Sequence, residues 1–318
     1  MEFKRPKIEL YRVRTFSEKI SDTFDFIRES WRPMIKYFIY LMLPVSMVMA
    51  YFINHFMTSY VELALGGSDN IQTMMGYGLT ILGAGVVSCV AAVLLSSLVY
   101  ALIRLYQWRA DRLNGLQTSE LRPELRLCAG RVVRLLLAGL LIGVLIVLLL
   151  GVSIALLTTI NPAFGILLIM VVYIAVLVVM LPISLTLPIY MMEDDISIVE
   201  ALQKAWRLGF ATWGGIFAVT FVLSIIGSAL QMLTFLPWYV LVLVKTFFTA
   251  GGEPSVFMNS IGYVVLQYLS CVWMCLGYML VSVLTIVGLT VQYGHASDKI
   301  DGTGVARKIE RFDELDSF

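Results

Sequence analysis

The stretch Leu187–Leu208, LPIYMMEDDISIVEALQKAWRL, closes one hydrophobic run and leads into another. Pro188 ends the apolar segment, three acids follow at Glu193, Asp194 and Asp195, and an amphipathic helix begins at once. Ile196, Val199, Leu202, Trp206 and Phe210 recur at steps of three and four, with Glu200, Lys204 and Arg207 on the other side. That period is the helical one. Asp195 or Ser197 can cap the first N–H groups, and the acids suit the positive end of the helix dipole. Such a helix lies in the headgroup plane, its apolar face in acyl chains and its charged face in water. The next hydrophobic run starts near Trp213, so the stretch reads as an elbow feeding one membrane hairpin into another.

Composition supports that setting. Hydrophobic residues make up 59% of the 318 and charged residues 14%, with a mean hydropathy of +0.86. Soluble domains carry roughly 45–50% apolar and about 25% charged residues. An all-α integral membrane protein is therefore expected, with six transmembrane helices near 37–53, 77–103, 132–157, 164–187, 213–234 and 261–291. The chain divides into a cytoplasmic N-terminal segment (1–36), a six-span membrane domain (37–291) and a cytoplasmic tail (292–318). The first 36 residues lack a short apolar core with a cleavage site, so no cleaved secretory leader is expected. The segment 236–248, LPWYVLVLVKTFF, is too short to cross alone and is expected to be interfacial or half-inserted on the outer side.

Of the 23 lysines and arginines, all but Lys245 fall in the N-terminal segment, the 104–134 connector, the elbow or the tail. Basic residues mark the cytoplasmic side, which places both termini there. The expected location is the inner (cytoplasmic) membrane of a bacterium. Two further amphipathic helices are expected on that side. One carries Phe16, Ile20, Phe24, Ile27 and Trp31 on its apolar face, with Phe26 as the exception. The other carries Leu121, Leu125, Cys128 and Val132. Aligned at constant offsets, the three in-plane helices superpose Asp25, Glu124 and Glu200, then Arg32, Arg131 and Arg207. Trp31 matches Trp206, with Gly130 between them. Three interfacial-helix-plus-hairpin repeats are thereby indicated.

The elbow also carries a family resemblance. Pro188, Glu193, Ala201, Leu202, Trp206, Arg207, Leu208 and Trp213 occupy matching positions in a pattern similar to the membrane domain found with bacterial glycerophosphoryl diester phosphodiesterases. Related stand-alone six-span families of unknown function show it too. Ala205 stands where a serine is usual. The resemblance implies the six-span architecture, but the family's catalysis belongs to a separate soluble barrel that these residues do not include.

Little else in the chain suggests chemistry. His55 and His295 fall on opposite membrane faces in this topology, so they cannot share a site. No HExxH, GxSxG or Walker A motif occurs in a supporting context. Glu193, Asp194 and Asp195 could hold a cation with water or could simply cap the helix. Cys128, Cys89, Cys271 and Cys275 form no CxxC pattern, so neither a zinc site nor a disulfide framework is expected. No cofactor and no metal are expected, and the protein is read as no enzyme.

The expected function is a non-enzymatic one: engaging lipid headgroups, anionic ones above all, at the cytoplasmic face, to organise lipid, maintain the envelope or support a membrane complex. Attraction to headgroups, about 1 kcal/mol per basic residue near the surface, accounts for the arginine-rich connector better than nucleic acid does. The residues expected to act as interfacial anchors are Trp31, Arg32, Arg131, Trp206, Arg207 and Trp213. The alternative is a transporter or flippase-like protein for a lipidic or amphipathic substrate, with Gln267, Ser270, Tyr278 and Ser282 as a polar intramembrane face.

Overall fold

The computed structural model describes residues 7–64, 71–109, 111, 113–250, 260–306 and 309. Its elements are α1 (Phe16–Ala64), α2 (Ile71–Trp108), α3 (Thr118–Ile160), α4 (Pro162–Ile183), α5 (Thr186–Met192), α6 (Ile198–Ala211), α7 (Trp213–Ala250) and α8 (Ile261–Asp301). Among the described residues there is no strand. Six stretches are long and apolar enough to cross a membrane: Phe16–Met57, Met75–Trp108, Thr118–Ile160, Pro162–Met192, Trp213–Phe248 and Ile261–Asp301. In hydrocarbon every backbone polar group must be satisfied within the chain, and a helix does this segment by segment.

The helix ends follow local chemistry. Between α3 and α4, Asn161 breaks the run and its Oδ1 accepts from Ala163 N at 2.9 Å, with Pro162 opening the next helix. At α6, Ser197 rather than Asp195 is the N-cap. Its hydroxyl accepts from Glu200 N at 3.2 Å while Glu200 Oε2 accepts from Ser197 N at 2.8 Å, a reciprocal capping box.

Three boundaries differ from the expected ones. The amphipathic segments at 16–36 and 118–131 are not separate helices, because α1 and α3 run through without interruption. Pro33 and Pro44 lie inside α1; each removes one hydrogen bond, and the neighbouring turns carry the helix past it. At about 1.5 Å per residue, the 49 residues of α1 span about 74 Å, far more than a hydrocarbon core of about 30 Å. Likewise 236–248 is not a separate outer segment but the continuation of α7, with Pro237 inside it. The expected break at Gly251-Gly252-Glu253-Pro254 lies outside the described residues.

The buried faces also run against simple hydrophobic periodicity. On α1, Lys19, Thr23, Phe26, Ser30 and Met34 are buried, while Phe16, Phe24 and Trp31 are exposed. The one residue that broke the expected apolar stripe, Phe26, is the core residue. On α6, Ala201, Ala205 and Leu208 are buried, while Val199, Trp206 and Phe210 face outward. Lipid rewards large apolar groups as well as a core does, whereas small residues let helix backbones approach.

Contacts group the chain into two compact units rather than along its linear order. The first comprises 1–29, 100–222 and 286–318, and the second 30–99 and 223–285. In the second unit Ala50, Trp238, Cys271, Val272 and Cys275 form a core. Trp238 Nε1 donates to Asn54 Oδ1 at 3.2 Å, and Tyr268 OH donates to Met47 O at 2.7 Å. In the first unit α6 lies against α4. A Cβ on Gly209 would stand 2.5 Å from Pro182 Cα, so only glycine admits this approach. The α3–α4 hairpin belongs to the same unit, yet none of the most apolar window of α3 is buried and only 6% of that of α4. At Gly139 and Gly143 a side chain would meet nothing within 4 Å.

Candidate functional site

The elbow is a junction of charge in the first unit. The last carbonyls of α5 lack intrahelical donors, and two arginines from other elements supply them. Arg104 Nη1 donates to Met191 O at 2.9 Å, and Arg131 Nη1 donates to Tyr190 O at 3.2 Å and Glu193 O at 3.0 Å. Cations at a helix C-terminus also meet the negative end of its dipole. The same arginines hold Asp194: Arg104 Nη2 lies 2.9 Å and Arg131 Nη2 3.0 Å from Asp194 Oδ1. Arg104 Nε pairs with Glu124 at 3.1 Å, and Arg104 is itself 7% exposed. Partial burial works against the charged form of Asp194, but the hydrogen bonds and charges of Arg104 and Arg131 outweigh it and hold the carboxyl below its usual range.

Glu193 closes the other half of the junction. Lys204 Nζ lies 2.7 Å from Glu193 Oε1, which also accepts from Tyr293 OH, and Tyr11 OH lies 3.3 Å from Tyr293 OH. Asp301, at the end of α8, takes Lys204 at 3.7 Å and Arg207 at 2.9 Å. A cavity of about 400 Å³ opens beside these groups, lined by Tyr11, Arg104, Gln107, Trp108, Glu193 and Asp194 among others. Two of the three elbow acids are therefore ion-paired, and among the described residues no group of three or more His, Cys, Asp or Glu could hold a metal.

The expected anchors fall into four environments. Trp31 and Trp206 are half-exposed, at 50% and 48%. The Arg32 guanidinium stands 5.8 Å from the Trp31 ring centroid, and Trp206 lies 4.7 Å from Phe210. Arg131 points inward, onto α5 and over the Tyr190 ring at 6.0 Å. Arg207 pairs with Asp301. Trp213 ties two helices together, its Nε1 donating to Val178 O at 3.0 Å. That carbonyl has no helical donor because the residue four positions on is Pro182.

The expected polar face divides. Gln267 is buried, on the side of α8 that carries Cys271 and Cys275, and Ser270 is half-buried. Tyr278 and Ser282 line a groove of about 480 Å³ between α7 and α8, opposite Ser224, Ser228 and Gln231. Gln231 Oε1 is buried there without a partner. Of the histidines, His295 belongs to the first unit, where its Nδ1 accepts from Arg14 N at 3.0 Å, and His55 to the second, stacked on Tyr51 at 6.2 Å.

Arg104 and Tyr293 were not among the expected site residues. Each reaches a partner some hundred residues away in sequence, so no local spacing announces them. Compared with models of known families, with curated proteins and with solved structures, the chain matches none.

Proposed function

We propose that this chain is a non-enzymatic, multi-pass protein of a bacterial cytoplasmic membrane that engages lipid headgroups at its cytoplasmic face, with α6 lying in the headgroup plane. The observation that carries the reading is the orientation of α6. Its small residues Ala201, Ala205 and Gly209 pack inward, leaving Val199, Trp206 and Phe210 outward beside Arg207. An aromatic ring flanked by an arginine suits the headgroup level. The charge bias of the loops supports the orientation. The second unit supports the segregation, since its sequence carries only Arg32, Lys36, Glu62, Asp69, Lys245 and Glu253 as charged residues.

A repeat fits the same reading. The positions of Phe26, Ser30, Met34 and Tyr37 in α1 correspond to Ala201, Ala205, Gly209 and Thr212, and all eight are buried. Trp31 and Trp206 correspond as well, with nearly equal exposure. The middle copy fits less well, since Leu125 and Ala129 are half-buried.

Single-tryptophan proteins retaining Trp206 test the proposal in bilayers carrying bromines at defined acyl depths. Strongest quenching by shallow bromines is expected; strongest quenching from the bilayer centre, or none at any depth, overturns it. The second reading, passage of an amphipathic lipid, draws on the α7–α8 groove and the unpartnered Gln231 Oε1. Exchange of a fluorescent lipid between leaflets of proteoliposomes, lost in Gln231→Leu, would favour it instead.

A further inference from the structure

Burying a lysine without an acid, or an amide without partners, is costly. The first unit does both in one place. Lys19 on α1 is 5% exposed, and its ammonium makes no hydrogen bond or ion pair among the described residues. The neighbouring charges that act on it are cations, Lys299 and Arg14. Gln292 on α8 is fully buried, and neither Nε2 nor Oε1 has a partner.

These groups converge on the first turn of α7. A Cβ on Gly215 would stand 3.1 Å from Gln292 Nε2 and 3.5 Å from Lys19 Nζ, and a Cβ on Gly214 would meet nothing within 4 Å. The N–H of Gly215 already bonds Thr212 O at 2.9 Å, so what the turn presents beside Lys19 and Gln292 is the side-chain-free Gly214 at the positive end of a 38-residue helix. One turn along α8 from Gln292, the Nδ1 of His295 is occupied by Arg14 N, which leaves the proton of a neutral ring on Nε2. Of the nearby acids, Asp22 is taken by Arg14 at 2.6 Å, and Asp298 Oδ1 accepts from Gly304 N at 2.8 Å.

We propose that Lys19, Gln292 and the Gly214–Gly215 turn form a binding site for a phosphate group. A phosphate oxygen accepts from Lys19 and from the Gln292 amide. A hydroxyl on the same ligand, whether of a monohydrogen phosphate or of a glycerol headgroup, donates to Gln292 Oε1. The site is separate from the outward face of α6 and does not depend on the interfacial reading, since a soluble phosphate satisfies the same groups as a lipid headgroup.

Two probes separate the sources. Inorganic phosphate is titrated calorimetrically into the full chain in maltoside micelles, and phosphatidylglycerol retention is measured by native mass spectrometry from the same micelles. Wild type is compared with Lys19→Met, Gly215→Ala and Gln292→Glu. The last supplies the ammonium with an internal carboxylate and so keeps the fold while closing the site. Binding of either probe, weakened at least tenfold in Gln292→Glu and in whichever other variants fold, supports the site and names the source. No binding of either probe to wild type, or binding unchanged by Gln292→Glu, overturns it. A higher melting temperature of Lys19→Met with no loss of binding also overturns it, since Lys19 would then be only an uncompensated buried charge.

Discussion

The hydrogen bond from Trp213 to Val178 can be tested against the proline that makes it necessary. Pro182 has no N–H, so Val178 O lacks its normal donor in α4, and the indole of Trp213 fills the place at 3.0 Å. Trp213→Phe keeps an aromatic ring to stack on Phe217, now parallel at 5.6 Å, but removes the donor. A carbonyl left without a donor costs about 1–3 kcal/mol. A loss of about 1–2 kcal/mol is expected, in line with the net value of such bonds. In a Pro182→Ala background the backbone N–H gained at that position can bond Val178 O within the helix, so Trp213→Phe should cost much less there. The coupling between the two sites should be about 1–2 kcal/mol, inside the range measured for interacting neighbours. Reversible unfolding of the four proteins in mixed micelles reads it directly, and the cycle cancels the lost indole packing. If Trp213→Phe costs the same with proline or alanine at 182, the bond is incidental and the reasoning is wrong.

Gly209→Ala should destabilise by about 1–3 kcal/mol, the usual cost of overpacking, because its methyl would stand 2.5 Å from Pro182 Cα. Gly139→Ala, where nothing lies within 4 Å, should be neutral or stabilising, and equal shifts in melting temperature for the two would contradict the packing. Asp194 sets an acid limb of stability. Its folded pKa lies below the unfolded value, so its contribution is complete above about pH 4 and is lost as pH falls through the lower folded value. Asp194→Asn should flatten that part of the stability–pH curve, and a curve unchanged in shape would remove Asp194 from the account.

Much of the architecture was legible because membrane spans depend on length and apolarity alone. The cap of α6 was legible in part, since Asp195 and Ser197 both stood as candidates and the structure selects Ser197 through its reciprocal bonds with Glu200. The buried faces were not. Periodicity groups Phe16, Phe24 and Trp31 as an apolar stripe but cannot say whether lipid or protein meets it, and the structure buries Lys19, Thr23 and Phe26 instead. Helix continuity was misjudged at 36, 131 and 236 because charge and span length mark where a membrane crossing needs to end, not where a helix ends, and α1, α3 and α7 run on past those points. The bonds from Arg104 to Asp194, Tyr293 to Glu193 and Trp213 to Val178 join residues distant in sequence. Only folding brings them together, so no spacing along the chain could announce them.

The bareness of the α3–α4 hairpin sets how its sequence can change over generations. Leu140, Val147, Leu148, Ile166 and Ile174 stand largely exposed, so exchange among leucine, isoleucine and valine at these places leaves their surroundings indifferent. Gly165 is held differently, because a methyl there would collide with Thr158 Cγ2. A hairpin like this preserves its character while its letters drift, with a few fixed points where the two helices touch. Selection then acts on the whole run, and descendants separated long enough would share the hairpin without sharing its spelling.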